Sequence, residues 1–208
     1  VGSEMCIRDR YIYFVLLRSW KVNVNKALFL YNLFSVERNF FMNSNYITFA
    51  FFNEIPLFDY KFLLLNHEIE QWNQEYEAFN FEFNGIKFKS RLAKKTPKKE
   101  GYFVACWRKN ETNKNRPFNC KDSKDKLIIN ILDRSKKGQF IFPKELLVEK
   151  GIISSEKHKG KMAIRVYPSW EKNLNKTALN TQKWQIPYFL DFTKGFNEKK
   201  IKELYCSP

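Results

Sequence analysis

A dense series of basic side chains between residues 87 and 99 is the part of this sequence best suited to bind an anion. The window holds seven lysines and arginines and no acidic residue. Cations two positions apart on a β-strand point to the same side, so they form a row that can follow a chain of phosphates. The sequence therefore predicts a phosphate-binding surface, called here the basic row, made of Lys87, Lys89, Arg91, Lys94, Lys95, Thr96, Lys98, Lys99, Arg108, Lys109 and Arg165. The alternative is a solvated strand face whose lysines prevent edge-to-edge strand pairing.

A β-hairpin is predicted to position this row. Residues 79–83 alternate between phenylalanine and polar side chains, and Asn84-Gly85 then matches a two-residue type I′ turn. Such a turn fixes the register and sets Phe81 opposite Phe88. One face of the hairpin is therefore core, and the other carries the lysines and the arginine of the row.

Two carboxylates just before the hairpin, Glu75 and Glu77, support an alternative in which the chain is a divalent-metal nuclease with Mg²⁺ as its cofactor. If the strand extends back to Glu77, that side chain shares the parity of Phe79, and a carboxylate on the core face must pair, take up a proton or bind a metal. The favoured interpretation of Glu77 is an acid at the end of a helix that pairs with a lysine. The acid-x-Lys tripeptides of an endonuclease site lie away from the predicted strands, at residues 59–61, 122–124 and 198–200.

Other chemistries lack a supporting pattern. The four cysteines form no C-x-x-C pair, the two histidines lie far apart, and the seven glycines form no phosphate-binding loop. We therefore expect no metal site, no cofactor outside the nuclease alternative, and a reducing, cytoplasmic location.

The composition predicts a folded chain with an anionic partner. The 208 residues are 44% hydrophobic and carry a formal net charge of +15. Nucleic acid is the first candidate partner, DNA more than RNA, followed by an anionic membrane surface and an acidic protein. No apolar run approaches the ~20 residues that a membrane span needs.

The sequence divides into three segments. We interpret residues 1–41 as an upstream or non-native extension, poorly ordered, because its short apolar runs are interrupted by charges and Met42 is a natural alternative start. Residues 42–192 are expected to form one domain, and residues 193–208 a polar C-terminal tail.

The predicted fold class is α+β, with an N-terminal helix, an antiparallel strand meander and flanking helices. The helix begins after Asp59, because apolar residues recur at helical spacing from Phe62 to Tyr76. Further strands are predicted at residues 102–109, 127–132, 139–142 and 162–167. Further helices are predicted at residues 144–150 and after Thr177.

Several segments resemble the MepB-like family. They are EYEAFNFEFNG (75–85), RLAKKTPKKEGYFV (91–104), WRKN (107–110), GQFIFPKELLVEKGII (138–153), RVYPSW (165–170) and TQKWQIPYFLDF (181–192). The resemblance implies a restriction-endonuclease-like core and an association with multidrug-efflux operons, but no established reaction. It places these residues at motif positions without roles: Arg91, Lys94, Thr96, Pro97, Lys98, Trp107, Gln139, Pro143, Arg165, Tyr167, Gln182, Trp184 and Gln185.

Together these observations predict a nucleic-acid-binding protein that contacts phosphates through the basic row and stacks a base on Trp107 or Trp184. The first alternative is the divalent-metal nuclease, and the second is a non-catalytic interaction module for an acidic partner. Whether the chain is an enzyme is left open by the sequence.

Overall fold

Strands outnumber helices in the structure, a computed structural model that describes residues 46–58 and 67–207. The strands are β1 (His67–Ile69), β2 (Phe79–Phe83), β3 (Ile86–Leu92), β4 (Lys94–Thr96), β5 (Lys99–Ala105), β6 (Trp107–Lys109), β7 (Asn115–Pro117), β8 (Lys126–Asp133), β9 (Lys136–Pro143), β10 (Ala163–Val166) and β11 (Phe189–Asp191). The helices are α1 (Ile47–Glu54), α2 (Lys144–Glu149), α3 (Lys176–Gln185) and α4 (Glu198–Cys206). This mixture confirms the predicted α+β class.

The central sheet has the strand order β1-β2-β3-β8-β9-β11, and its neighbouring strands are antiparallel except for β3 and β8. The β2–β3 hairpin has the predicted register, with Phe81 opposite Phe88. Asn84 and Gly85 take φ values of 51° and 76°, as both central positions of a type I′ turn require. The predicted hairpin is therefore confirmed.

The segment predicted as a third strand of this hairpin lies elsewhere. Residues 102–109 are divided between β5 and β6, which belong to two smaller sheets with the orders β10-β5-β4 and β6-β7. The meander is thus interrupted, because β3 pairs next with β8 in parallel.

One face of the central sheet is covered by helices α1 and α4. The Phe52 ring lies 5.8 Å from that of Phe79, and Tyr205 lies 5.6 Å from Phe88. Residues of β2 and β3 that share this face meet the helices because side chains alternate along a strand. Aromatic rings therefore form most of this layer of the core.

The opposite face packs against the β10-β5-β4 sheet and helix α2. Ile129, Phe140 and Phe142 of the central sheet cluster there with Val104 and other buried residues. Since β8 is buried on both faces, its sequence is a continuous apolar run rather than an alternating one. The predicted strand at residues 127–132 is confirmed, and the domain has three layers.

The predicted N-terminal helix is wrong where it can be compared. Residues 59–66 lie outside the described residues, and Ile69 is in β1, paired with Phe79. Asn73 takes a left-handed conformation with φ of 63°, and a short 3₁₀ helix follows at Gln74–Tyr76. From Ile69 to Tyr76, the apolar residues of the predicted helix lie instead in a strand followed by a tight loop.

The predicted polar tail is instead helix α4, which packs into the core. Ile201 and Tyr205 are buried, and Lys126 Nζ donates a 2.7 Å hydrogen bond to the Leu204 carbonyl at the end of the helix. The apolar side chains lie four residues apart, on one side of an otherwise charged helix. Residues 1–41 lie outside the described residues, so their interpretation as an extension stays a prediction.

Other predicted elements match the structure. Strand β9 ends at Pro143, helix α2 follows directly, and Gly151 takes the left-handed conformation expected after a helix, with φ of 63°. Strand β10 and helix α3 also lie where predicted. Among the described residues, no helix is both long and apolar enough to cross a membrane.

Candidate nucleic-acid interface

Two cations of the basic row, Lys89 and Arg91, are buried. Arg91 has no exposed surface and Lys89 retains 7%. Arg91 Nη2 lies 2.5 Å from Glu70 Oε2, and Lys89 Nζ bonds the other oxygen of the same carboxylate. The pleat places these two cations on one side of β3, as predicted, but the second layer of the domain covers that side. The prediction that they face solvent is therefore wrong.

The Glu70 carboxylate holds both cations at once. Burial alone would raise the pKa of Glu70, but Arg91 and Lys89 outweigh burial and keep that pKa below its ordinary value. Burial and the neighbouring Arg91 lower the pKa of Lys89 to about 8, although Glu70 acts in the opposite direction. The Phe118 ring lies 5.0 Å from Lys89 Nζ, where it adds a cation–π contact. This cluster ties the loop before β2 to β3, and its cations are used inside the fold.

Three exposed cations of the row lie close together on the hairpin formed by β4 and β5, called here the basic hairpin (residues 94–99). Lys94, Lys98 and Lys99 are all exposed. Within residues 46–58 and 67–207, none of the three forms an ion pair. Their charges are therefore available to an anion from outside the domain.

Lys95 points to the other face of this small sheet. It is paired across the sheet with Tyr102, whereas Lys94 is paired with Phe103. Lys95 Nζ lies 3.8 Å from carboxylate oxygens of both Asp133 and Glu171. Lys95 is half-exposed, but its charge is offset by two acids, and it does not join the surface of Lys94.

Arg165 braces the basic hairpin. Its Nη1 lies 3.1 Å from the Glu100 carbonyl and 3.4 Å from those of Lys99 and Gly101, and its Nη2 donates to Thr96 Oγ1 at 2.5 Å. These contacts hold the two strands around the Pro97-Lys98 turn. Thr96 and Arg165 are thus positioning residues, rather than free phosphate ligands as the basic row assumed.

Glutamines fix the strand that carries Arg165. Gln185 Nε2 donates to the Arg165 carbonyl, and Gln185 Oε1 accepts from the Tyr167 amide, both at 2.9 Å. Gln182 Nε2 donates to the Pro168 and Glu171 carbonyls. In the core, Gln139 links Tyr205 to Asn130 by hydrogen bonds of 2.7 and 2.8 Å. These motif positions therefore have structural roles.

The remaining cations of the row lie around β6. Arg108 is exposed but donates to Asp122 at 2.8 Å, and Asp122 also binds Arg116. Lys109 Nζ lies 4.7 Å from the centre of the Trp72 ring. Together these residues line an open groove beside β6 and β7. Lys87, also in the row, is exposed on β3, and its backbone amide donates to Asp125.

The acids of the nuclease alternative do not converge on one site. Glu77 Oε1 and Oε2 accept hydrogen bonds of 3.1 and 2.9 Å from the amides of Ile47 and Thr48, so Glu77 caps the start of α1. Glu75 is exposed on the neighbouring 3₁₀ helix. Glu77 lies before β2 in a left-handed conformation, so the expectation that it continues the strand parity is wrong. Within the described residues, no three His, Cys, Asp or Glu side chains are grouped to hold a metal ion.

Aromatic side chains beside the basic hairpin were missed from the sequence. Phe103 is paired across the small sheet with Lys94 on one side and with Arg165 on the other, so the three share a face. The Tyr76 ring lies 6.1 Å from Phe103, and Lys94 Nζ lies 4.9 Å from the centre of the Tyr76 ring. In the sequence, Tyr76 fits the predicted helical core stripe, so its position beside a lysine has no local signal.

The two tryptophans predicted to stack on a base differ in exposure. Trp184 packs against Phe142, with ring centres 5.4 Å apart, in the core layer. Trp107 is half-buried in β6, and its carbonyl accepts a hydrogen bond from Asn73 Nδ2. Trp184 is thus a packing residue, while Trp107 contacts the loop at residues 72–76 through its backbone carbonyl.

The described residues define an α+β domain in which a mostly antiparallel sheet supports an exposed basic hairpin. The chain belongs to the MepB-like family, whose model matches residues 70–191, more than half of its length. The crystal structure of MepB is 53% identical in sequence, with a TM-score of 0.61, and the match covers 62% of this chain and 87% of that chain. The predicted family resemblance is confirmed.

A solved bacterial homing endonuclease also matches, with 14% identity and a TM-score of 0.34, over 57% of this chain and 75% of that chain. A TM-score this low supports no inference about the present chain, so an endonuclease-like core and a nuclease activity stay predictions. The comparison with curated proteins gives no match.

Proposed function

We propose that this MepB-like chain binds nucleic acid through phosphate contacts made by the basic hairpin. The observation that carries the proposal is the exposure of Lys94, Lys98 and Lys99, without ion pairs among the described residues, on a hairpin braced by Arg165. Closely spaced cations bind a polyanion by displacing its condensed counterions. The formal charge of +15 adds a long-range attraction toward any such polymer.

The bracing of the hairpin supports this function over a role in solubility alone. A cation on a mobile loop loses conformational entropy when it binds, which weakens the interaction. Arg165 contacts three successive carbonyls and Thr96, so the hairpin backbone is already ordered before a ligand arrives. Lysines that only keep an edge strand in solution do not require this support.

The direct test is the binding of labelled duplex DNA and RNA over a salt series, measured by fluorescence anisotropy. The wild-type chain is expected to bind both polymers with an affinity that falls steeply as salt rises. The triple variant Lys94→Ala/Lys98→Ala/Lys99→Ala is expected to bind more weakly and with a flatter salt dependence.

A polyglutamate competitor separates this function from binding to an acidic protein. If polyglutamate displaces nucleic acid at equal charge concentration, the hairpin recognises acidic polymers in general, as the interaction-module alternative requires. If nucleic acid does not bind even at low salt, the proposed function is wrong.

A further inference from the structure

Half-buried aromatic rings lie beside cations at the basic hairpin and at β6. Phe103 lies between Lys94 and Arg165 in the small sheet, and Tyr76 packs 6.1 Å from Phe103. Trp72, four positions before Tyr76, lies under Lys109. Tyr76 and Trp72 are thus two half-buried rings, and each has a lysine ammonium group within 5 Å of its ring centre.

The loop that carries Trp72 and Tyr76 is held in place at both ends. Asn73 is buried, and its Nδ2 donates a 2.9 Å hydrogen bond to the Trp107 carbonyl. Glu77, directly after Tyr76, is bonded to two amides at the start of α1. Glu70, before the loop, is held by Lys89 and Arg91. The aromatic side chains are therefore presented by an ordered backbone.

We infer that the chain prefers single-stranded over duplex nucleic acid, with unpaired bases stacking on Tyr76 and Trp72 while the neighbouring lysines bind phosphates. This inference rests on the proposed function. A base in a duplex is stacked on both sides and has no free face, whereas an unpaired base can lie flat on an aromatic ring. When a base occupies the ring, the lysine ammonium moves from the ring to the adjacent phosphate.

The groove beside Trp72 is a further surface where the single-stranded nucleic acid can bind. It is lined by Arg108, Lys109 and Arg116, whose charges exceed those of Glu111 and Asp122 on the same walls. The Trp107 carbonyl of β6, next to the groove residue Arg108, accepts a hydrogen bond from Asn73, in the loop that also carries Tyr76. Aromatic rings close to cations are what sequence-independent binding of single strands uses.

The test compares three ligands of about 12 nucleotides: a single strand, its duplex, and a single strand with abasic sugars in place of nucleosides. The abasic strand keeps the phosphates and removes every base. The wild-type chain is expected to bind the normal strand about tenfold more tightly than the abasic strand. Tyr76→Leu/Trp72→Leu is expected to abolish this difference, so that it binds the normal and the abasic strand with equal affinity.

Tyr76→Phe/Trp72→Phe is the matched control, because it keeps both rings and should retain the preference. Equal binding of normal and abasic strands by the wild-type chain would overturn the inference and leave the proposed function standing. Loss of all binding at low salt, for every ligand, would instead overturn the proposed function. The wild-type comparison does not depend on the folding of any variant.

Discussion

Arg91 Nη2 lies 2.5 Å from Glu70 Oε2 in the interior of the domain, and this ion pair joins the loop before β2 to strand β3. An arginine in this position cannot also hold a phosphate at the surface. The basic row thus contains buried cations, Lys89 and Arg91 of β3, which are held inside the fold, and the exposed lysines of the basic hairpin.

Removing the charge of Glu70 is expected to destabilise the fold without a direct effect on ligand binding. Glu70→Gln leaves Lys89 and Arg91 buried without a counter-charge, which should lower the free energy of unfolding by about 3 kcal/mol. Urea unfolding measures the loss. Glu68→Gln, an exposed neighbour on β1, is the control and should change stability by less than about 0.5 kcal/mol.

Lys89 is expected to make the stability depend on pH above neutrality. Its folded-state pKa is about 8, against 10.5 for an ordinary lysine, because burial and Arg91 disfavour its charge. The unfolded chain binds the proton more tightly, so wild-type stability gains a contribution as pH rises from about 8 to 10.5. The stability of Lys89→Met relative to wild type should therefore be at its highest below pH 8.

The free energy of unfolding of Lys89→Met, taken relative to wild type, should fall by up to about 3 kcal/mol as the pH approaches 10.5. Urea unfolding at several pH values between these limits measures it. Lys87→Met, an exposed position on the same strand, should show no such trend relative to wild type. A constant difference between Lys89→Met and wild type would show that Lys89 has the same pKa in both states.

Glu77 is expected to matter for stability as the cap of α1. Glu77→Gln weakens two hydrogen bonds to the Ile47 and Thr48 amides and removes a negative charge from the helix start, a loss of about 1 kcal/mol. Glu75→Gln, which is exposed, should have little effect on unfolding. If either substitution removed an Mg²⁺-dependent cleavage of DNA while leaving stability intact, the nuclease alternative would replace this account of the two acids.

Arg165 is expected to control the mobility of the basic hairpin. Arg165→Met removes the guanidinium contacts to Thr96 and to three carbonyls but keeps much of the aliphatic side chain. Hydrogen exchange of the backbone amides in residues 94–101 should become faster, while exchange in β8 and β9 stays slow. Unchanged exchange in the hairpin would show that pairing of β4 with β5 orders it without Arg165.

Local patterns in the sequence predicted local structure well. The Asn84-Gly85 turn determines the register of the β2–β3 hairpin, and the pleat correctly groups Lys87, Lys89 and Arg91 on one side of β3. The sequence contains no local signal for what covers that side. The covering layer comes from residues more distant in the chain, such as Phe118 and Val104.

The site was harder to predict, because distant contacts decide which ion pairs form and which face of a strand is covered. Glu70 is close in sequence to the hairpin, yet it directly follows β1, a strand in a segment whose apolar spacing predicts a helix, so its pairing with Arg91 had no sequence signal. Adjacent lysines 94 and 95 point to opposite faces, as residues of a strand must. The acids that offset Lys95, Asp133 and Glu171, come from later segments.

The central claim is that phosphates bind the exposed lysines of the basic hairpin. Its most direct test is the slope of log K against log salt concentration for duplex DNA, measured for Lys98→Ala/Lys99→Ala. The control, Lys199→Ala/Lys202→Ala, removes the same charge from α4 on the opposite face of the central sheet. The account predicts that the negative slope becomes shallower by about 2 for the hairpin variant and stays unchanged for the control. Equal slopes for the wild type and both variants would contradict it.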